Sequence, residues 1–406
     1  YSHTLLNPAD LPLVVERAFA VLLSGRPGPV HIEIPTDVMA KPIETGSFPA
    51  AVATRPRADA ETLQRAAILC TNASRPVILA GGGAITAEEE IRELAERIGA
   101  PVVTTVNGRG LLGGHPLRIP ASPSLKAVRR LLSDADLVVA FGTEFGPTDY
   151  DINVDGGFPR LKTLIRIDID AAQLARTPQS GLSIFSSAKT AAAGMLGFLE
   201  GHKPISNGAA RAETVRKNAW NELTPKMQTE VRIIDAIWKT LPKAIIVGDS
   251  TQAVYAGNYY CDAPRVRSWF NAATGYGALG FAPPAAVGAA LAEPDAPIIC
   301  LVGDGGLQFS LSEIGSAADA NARVVFLVWN NDGYQEIENF MVDAGITPEG
   351  VKPSAPDFIA IGTAYGLPSE RLADVRDLPA SLERAAARTG PSLVEIHQTK
   401  TVGATA

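Results

Sequence analysis

Gly303-Asp304-Gly305-Gly306 and Asn330-Asn331-Asp332-Gly333 are the two segments of this chain whose residue types could do chemistry together, and 24 residues separate Gly305 from Asn330. Each follows an apolar run of strand length, 297–302 and 323–329. Asp304 offers a charged hard oxygen and Asn331 a neutral one, a pair suited to a divalent cation such as Mg²⁺ that completes its shell with phosphate oxygens and water. Gly305 and Gly306 would let the backbone approach a phosphate closely, and the helix they open would add its N-terminal amides. Two further turn-like segments lie in the same part of the chain. Gly248-Asp249-Ser250-Thr251 follows an apolar run at 244–247, and an ordinary capped turn explains it equally well. Gly275-Tyr276-Gly277-Ala278-Leu279-Gly280-Phe281 precedes a helical pattern at 284–291, and by itself Leu279 reads as a core leucine in a glycine-rich turn.

Positioning these segments at one place requires a particular fold. Apolar runs alternate with helical patterns from residue 55 onward, which predicts an α/β architecture of parallel sheets flanked by helices. In such sheets every strand ends on the same edge, and ligands bind there. The expected strands are 76–80, 101–106, 137–141 and 163–169, then 244–247, 297–302, 323–329 and 392–396. The expected organisation is a first block at 1–47, a central domain at 48–200, a linker at 201–226 and a last domain at 227–400. The linker expectation rests on the polar composition of 200–218, and 401–406 reads as a loose tail. The first block holds a helical pattern at 11–24, a Gly25-Arg26-Pro27-Gly28-Pro29 break and a strand at 30–34. That is too little to bury a core, so it reads as the close of a domain whose start lies outside this chain.

Composition removes several classes of function. The net charge of −7 over 406 residues offers no footprint for nucleic acid. The apolar runs are far shorter than a membrane span, and no signal peptide is read at the start. Three cysteines far apart, Cys70, Cys261 and Cys300, suit isolated thiols in a reducing cytoplasm. None of the five histidines pairs with another at ligand spacing, so a structural role is read for each.

The Gly303-Asp304-Gly305 to Asn330-Asn331 pattern resembles the signature of thiamine diphosphate-dependent enzymes, the group of acetolactate synthases and 2-oxo acid decarboxylases. The resemblance covers essentially the whole chain. It implies a thiamine diphosphate-binding fold for the last domain, a Rossmann-like central domain, and the close of a pyrimidine-binding domain in the first block. It implies Mg²⁺ held by Asp304, Asn331 and the Gly333 carbonyl. It implies cofactor contacts from Gly248, Asp249, Ser250, Thr251, Gly277, Leu279, Gly303, Gly305, Gly306 and Tyr334, with Leu279 under the bent cofactor. The family commonly has Leu before the proline of the helix that follows Leu279, whereas Pro283-Pro284 stands here. The family's activating glutamate lies early in the pyrimidine domain, a region not matched here. Glu33, in the closing strand, is a different residue, so no catalytic acid or base is named.

The reaction implied is loss of carbon dioxide from a 2-oxo acid, followed by protonation to an aldehyde or by joining to a second carbonyl. Flavin-dependent oxidases share the scaffold, and a remnant that binds cofactor without activating it is a further alternative. Gly81-Gly82-Gly83 and Asp168 lie where some relatives hold FAD, but they make no full dinucleotide fingerprint, and FAD is not expected. The segment 334–341 lacks the Gly-Met and Gln-Trp pattern of acetolactate synthases, while 248–258 and 268–271 look more like 5-guanidino-2-oxopentanoate decarboxylases. Glu336 or Glu338 would then face a cationic substrate tail, although a solvated helix face explains both equally well. The family's sites form between subunits, which implies a homodimer or homotetramer.

Overall fold

The computed structural model describes residues 1–43, 54–146, 157–205, 207–272 and 275–398. The expected boundary at 47/48 and the expected tail at 401–406 lie outside the described residues. Two six-stranded parallel sheets dominate the molecule. The first is built from β3 (Pro76–Ala80), β4 (Val102–Thr104), β5 (Arg118–Ile119), β6 (Leu137–Phe141), β7 (Leu164–Asp168) and β8 (Leu182–Phe185), in the order β5-β4-β3-β6-β7-β8. The second comprises β9 (Ile245–Gly248), β10 (Trp269–Asn271), β11 (Ile298–Gly303), β12 (Val324–Asn330), β13 (Ser369–Arg371) and β14 (Ser392–His397), in the order β10-β9-β11-β12-β14-β13. Before them, β1 (Ser2–Thr4) pairs in parallel with β2 (His31–Glu33), and the helix Leu11–Leu23 connects them.

Why the inner strands read as unbroken apolar runs is plain from their burial. β3, β6, β11 and β12 are buried at every residue, because helices cover both faces of each sheet. Alternate residues feed separate cores. Ile299 and Leu301 pack on one side of the second sheet, and Ile298, Cys300 and Val302 on the other. β5, β8, β10 and β13 were not anticipated, and they are the four edge strands of the two sheets. At two to four residues each they carry too little pattern to read.

The segment 201–226, expected as a linker from its polar composition, is mainly helical: Gly208–Glu222 is a helix and Pro225–Thr240 begins a second helix at once. Asn207 caps the first with its side chain, accepting from Ala210 N at 3.2 Å. Ala212, Val215 and Ala219 fall one helical turn apart and are buried against the first sheet. A narrow stripe of small side chains inside a polar composition is easily taken for a loop. In the helix Ala282–Ala292, Pro283 and Pro284 both sit in the first turn, where no intrahelical N–H is needed.

Candidate active site

The carboxyl edge of the second sheet gathers the chemistry. β11 and β12 are neighbours with Gly303 paired to Trp329, so Asp304 and Asn331 leave the sheet side by side. Asp304 is 1% exposed, its Oδ1 accepts from Asn331 N at 3.3 Å, and its Oδ2 has no hydrogen-bond partner. Burial pushes its carboxyl above the usual carboxylate range. The Asn331 carboxamide has one end directed at Asp304 Oδ1 and Gly333 O. With nitrogen at that end it donates to them at 3.0 and 2.7 Å. With oxygen there, three oxygens face one another, an arrangement that a cation would stabilise and that nothing else present does.

The loop that carries Asn331 is held from behind. Arg371 Nε donates to Glu395 Oε2 at 2.8 Å, and Glu395 Oε1 accepts from Asn330 Nδ2 at 2.8 Å. Asn330 Oδ1 in turn accepts from Asp332 N at 3.1 Å. Asp332 sits at φ 63° and Gly333 at φ 143°, and a Cβ on Gly333 would stand 2.5 Å from the Val351 carbonyl. Tyr334 N donates to that same carbonyl at 2.8 Å. The turn therefore needs glycine at 333 both for its backbone angle and for the close pass of the Val351 backbone.

Glycine is required across the turn after β11 as well. A Cβ on Gly305 would meet the Tyr334 ring at 2.5 Å, and one on Gly306 would meet Asp249 Oδ1 at 2.7 Å. Tyr334 and Asp249 fill the space that those side chains would need, and both glycines line the neighbouring cleft. A cleft of about 220 Å³ opens there, and all the expected site residues except Gly248 and Asp249 line it.

Gly248 and Asp249 do other work. A Cβ on Gly248 would press on Val254 and Asn271 at 2.8 and 2.9 Å. The buried Asp249 carboxylate accepts from Ser250 N at 2.8 Å, Ala282 N at 2.9 Å and Gly280 N at 3.3 Å. It ties the end of β9 to the 277–282 turn, and Ser250 Oγ adds a bond to Gly277 O at 3.1 Å. Leu279, half-buried, is thereby presented on the cleft. Asp249 is thus an anchor for the turn rather than a group facing the cleft. Burial raises its pKa, and the three N–H donors oppose that shift.

Gln252, Tyr255, Gln335, Glu336 and Ile337 complete the lining. Gln252 Nε2 donates to Glu336 Oε2 at 2.6 Å. Glu338 is turned elsewhere, into an ion pair with Lys352 at 2.9 Å. The hint available in sequence was position: residues 335–337 directly follow the Asn331 turn, and Gln252 and Tyr255 follow the turn after β9. Among the described residues no cluster of three His, Cys, Asp or Glu could hold a metal by itself. The Asp304 set accordingly suits a cation whose shell a diphosphate completes.

At the carboxyl edge of the first sheet, Gly82, Gly83 and Asp168 line a separate cleft of about 480 Å³. The glycines there serve packing: a Cβ on Gly81 would stand 2.3 Å from Gly142 O, and one on Gly83 2.9 Å from Gly142 Cα. Asp168 Oδ1 accepts from Asp170 N at 2.9 Å. Glu33 ends β2 and accepts from Thr4 Oγ1 at 3.0 Å, far in the chain from the cleft residues.

Comparison with known proteins agrees with this layout. Residues 63–195 match the thiamine pyrophosphate enzyme central domain, and residues 249–396 match the thiamine pyrophosphate enzyme C-terminal TPP binding domain. A Pseudomonas aeruginosa protein named "Probable 2-ketoarginine decarboxylase" is 36% identical over 403 residues, covering 98% of this chain and 71% of that protein. The acetolactate synthase isozyme 1 large subunit of Escherichia coli is 30% identical, covering 98% of this chain and 72% of its own length. In fold, the chain is similar to the crystal structure of benzoylformate decarboxylase from Polynucleobacter necessarius, with a TM-score of 0.82 at 22% identity, over 98% of this chain and 76% of that one. With two domain matches and these relatives across nearly its whole length, the chain belongs to the thiamine pyrophosphate enzyme family.

Proposed function

We propose that this chain carries the Mg²⁺- and diphosphate-binding part of an enzyme that decarboxylates a 2-oxo acid with thiamine diphosphate. The observation that carries the reading is the unpartnered Asp304 Oδ2, buried beside the Asn331 carboxamide and the Gly333 carbonyl at one cleft. In this reading those three groups hold the cation, and the backbone at Gly305 and Gly306 takes diphosphate oxygens. When bound, the cofactor supplies an electron sink for the pair left as the carboxylate carbon departs. The chain's own residues bind and orient. Leu279 supports the apolar rings from the turn that Asp249 anchors, and Ser250 and Thr251 border the same cleft. Tyr255, Gln252 and Glu336 form a polar wall at which a substrate would be held and a proton passed.

The name of the Pseudomonas relative supports decarboxylation. Its substrate, 2-ketoarginine, is a 2-oxo acid with a guanidinium at the far end. The Escherichia coli relative supports a second reading, in which two pyruvates are joined with loss of carbon dioxide. The product separates them. The full-length gene product with thiamine diphosphate and Mg²⁺, offered a panel of 2-oxo acids, releases carbon dioxide together with an aldehyde in the first reading and acetolactate in the second. Absence of carbon dioxide from every acid tested would refute both.

The reading also includes a homodimer or homotetramer. Tyr276, Phe281 and Phe309 are exposed around the 277–282 turn, and Ile337 and Phe340 are exposed on the helix Gln335–Asp343. Large apolar side chains gathered at the mouth of a site favour cover by another protein surface. A cytoplasmic location is part of the same proposal. All three cysteines are free and buried, and among the described residues no helix is long and apolar enough to cross a membrane.

A further inference from the structure

Behind the cleft wall stands a carboxyl group that neither cofactor binding nor folding accounts for. Lys226 and Glu230 lie four residues apart on the helix Pro225–Thr240 and share a face. Lys226 Nζ donates to Gln335 Oε1 at 3.1 Å, which docks that face against the start of the helix Gln335–Asp343. Glu230 there is 3% exposed, and its Oε1 has no hydrogen-bond partner. The next residue along the facing helix is Glu336, which lines the cleft and lies within Coulombic reach of Glu230.

Such a pair is expensive to keep. A carboxyl buried without a partner destabilises the fold, and a second carboxylate nearby adds repulsion. Lys226 brings one positive charge against two potential negative ones, and Tyr255, which lines the same cleft as Glu336, brings none. Nor does the cofactor need them, because extra negative charge beside a diphosphate opposes its binding. A cation delivered through the cleft would relieve all of these costs. A guanidinium suits two carboxyl groups best, since its planar fork can donate to both at once.

We propose that Glu230 and Glu336 form the subsite for the cationic end of the substrate, so that the 2-oxo acid taken here carries a guanidinium tail. This rests on the reading of the cleft as a thiamine diphosphate site. Glu336 contacts the tail from the cleft wall. Glu230 supports it from behind, and both are specificity-determining rather than reacting groups.

Two measurements test the pair. In the full-length enzyme with thiamine diphosphate and Mg²⁺, kcat/KM is compared for 2-ketoarginine and for 2-oxohexanoate, a neutral acid of similar length. Glu336→Gln is expected to lower the ratio of the two by about 30-fold, mainly through KM for the guanidino acid, and Glu230→Gln by about 10-fold, as loss of a charge-assisted hydrogen bond implies. A ratio that stays within about twofold of wild type in Glu336→Gln overturns the proposal, whether or not Glu230→Gln folds. Binding of 5-guanidinopentanoate, which has no oxo group to react, is measured by calorimetry with hexanoate as control. Wild type is expected to prefer the guanidino acid and Glu336→Gln to lose that preference; equal binding of the two acids by wild type counts against the subsite. Failure of the underlying reading looks different: wild type would then release carbon dioxide from no 2-oxo acid, while the calorimetric preference would still report on the pair.

Discussion

Asp304 combines full burial with an unpartnered oxygen, and that combination makes its substitution informative. Asp304→Ala is expected to weaken Mg²⁺-dependent thiamine diphosphate binding at least 100-fold, about 3 kcal/mol or more, and to abolish carbon dioxide release. Because burial raises its pKa, the same change should leave the cofactor-free protein no less stable at neutral pH, as chemical denaturation will tell. Glu230 gives a sharper pH signature. Its pKa is pushed by burial from 4.5 to about 7. A group raised in the folded state contributes stability that is complete below the unfolded value and is lost as pH rises through the folded one. Cofactor-free wild type therefore loses up to about 3 kcal/mol from this group between pH 4.5 and pH 7 and above. Glu230→Gln should flatten that slope, gaining on wild type at pH 8 relative to pH 5 in urea unfolding. An unchanged slope would show that Glu230 does not titrate there.

At the scale of elements, the turn at 277–282 and the helix Gly208–Glu222 are the informative pieces. Asp249 satisfies three N–H groups that tie this turn to β9. Asp249→Ala leaves Gly280 and Ala282 without their acceptor and should cost about 2–4 kcal/mol of stability, since each buried unsatisfied donor costs about 1–3. The same variant should loosen the cofactor, because Leu279 is displayed by that turn; unaltered stability together with unaltered cofactor affinity would contradict the anchoring role. The helix makes its own prediction. Ala219 is fully buried against the first sheet, so Ala219→Glu should destabilise the protein by about 3 kcal/mol or more through an unpaired buried charge. A true linker would absorb that change without loss, and thermal unfolding with limited proteolysis separates the two cases.

At the scale of the whole molecule, the exposed apolar residues at the cleft mouth predict association. Phe340→Asp, at a residue 68% exposed, should shift the full-length protein toward monomer in light scattering and lower activity in step with the monomer fraction. If the wild-type protein is monomeric and active, the proposed assembly is wrong. The molecule also shows where sequence reasoning ends. Asp304 and Asn331 could be read from sequence, because each directly follows a buried strand and parallel strands deliver their ends to one edge. The inner strands were legible for the same reason, since burial on both faces demands uninterrupted apolar residues. Edge strands such as β10 and β13, and the small-residue stripe of Ala212, Val215 and Ala219, carried no such demand and were missed. Glycine at 305 and 306 was read as a ligand cradle, and packing adds an independent demand, because Tyr334 and Asp249 leave no room for a Cβ there. Asp249 was read as a cofactor contact, and the structure adds that its carboxylate accepts from three N–H groups around the adjacent turn. Glu230 and Glu336 are 106 positions apart on different helices, and no local pattern relates them. The amino-acid sequence by itself indicated the sheet class and proposed Asp304 and Asn331 as the cation-binding pair, because an apolar run and the turn that ends it are local in the chain. Tertiary packing alone decided which glutamate lines the cleft and what stands behind it, because helix-to-helix docking is set by side chains distant in the chain.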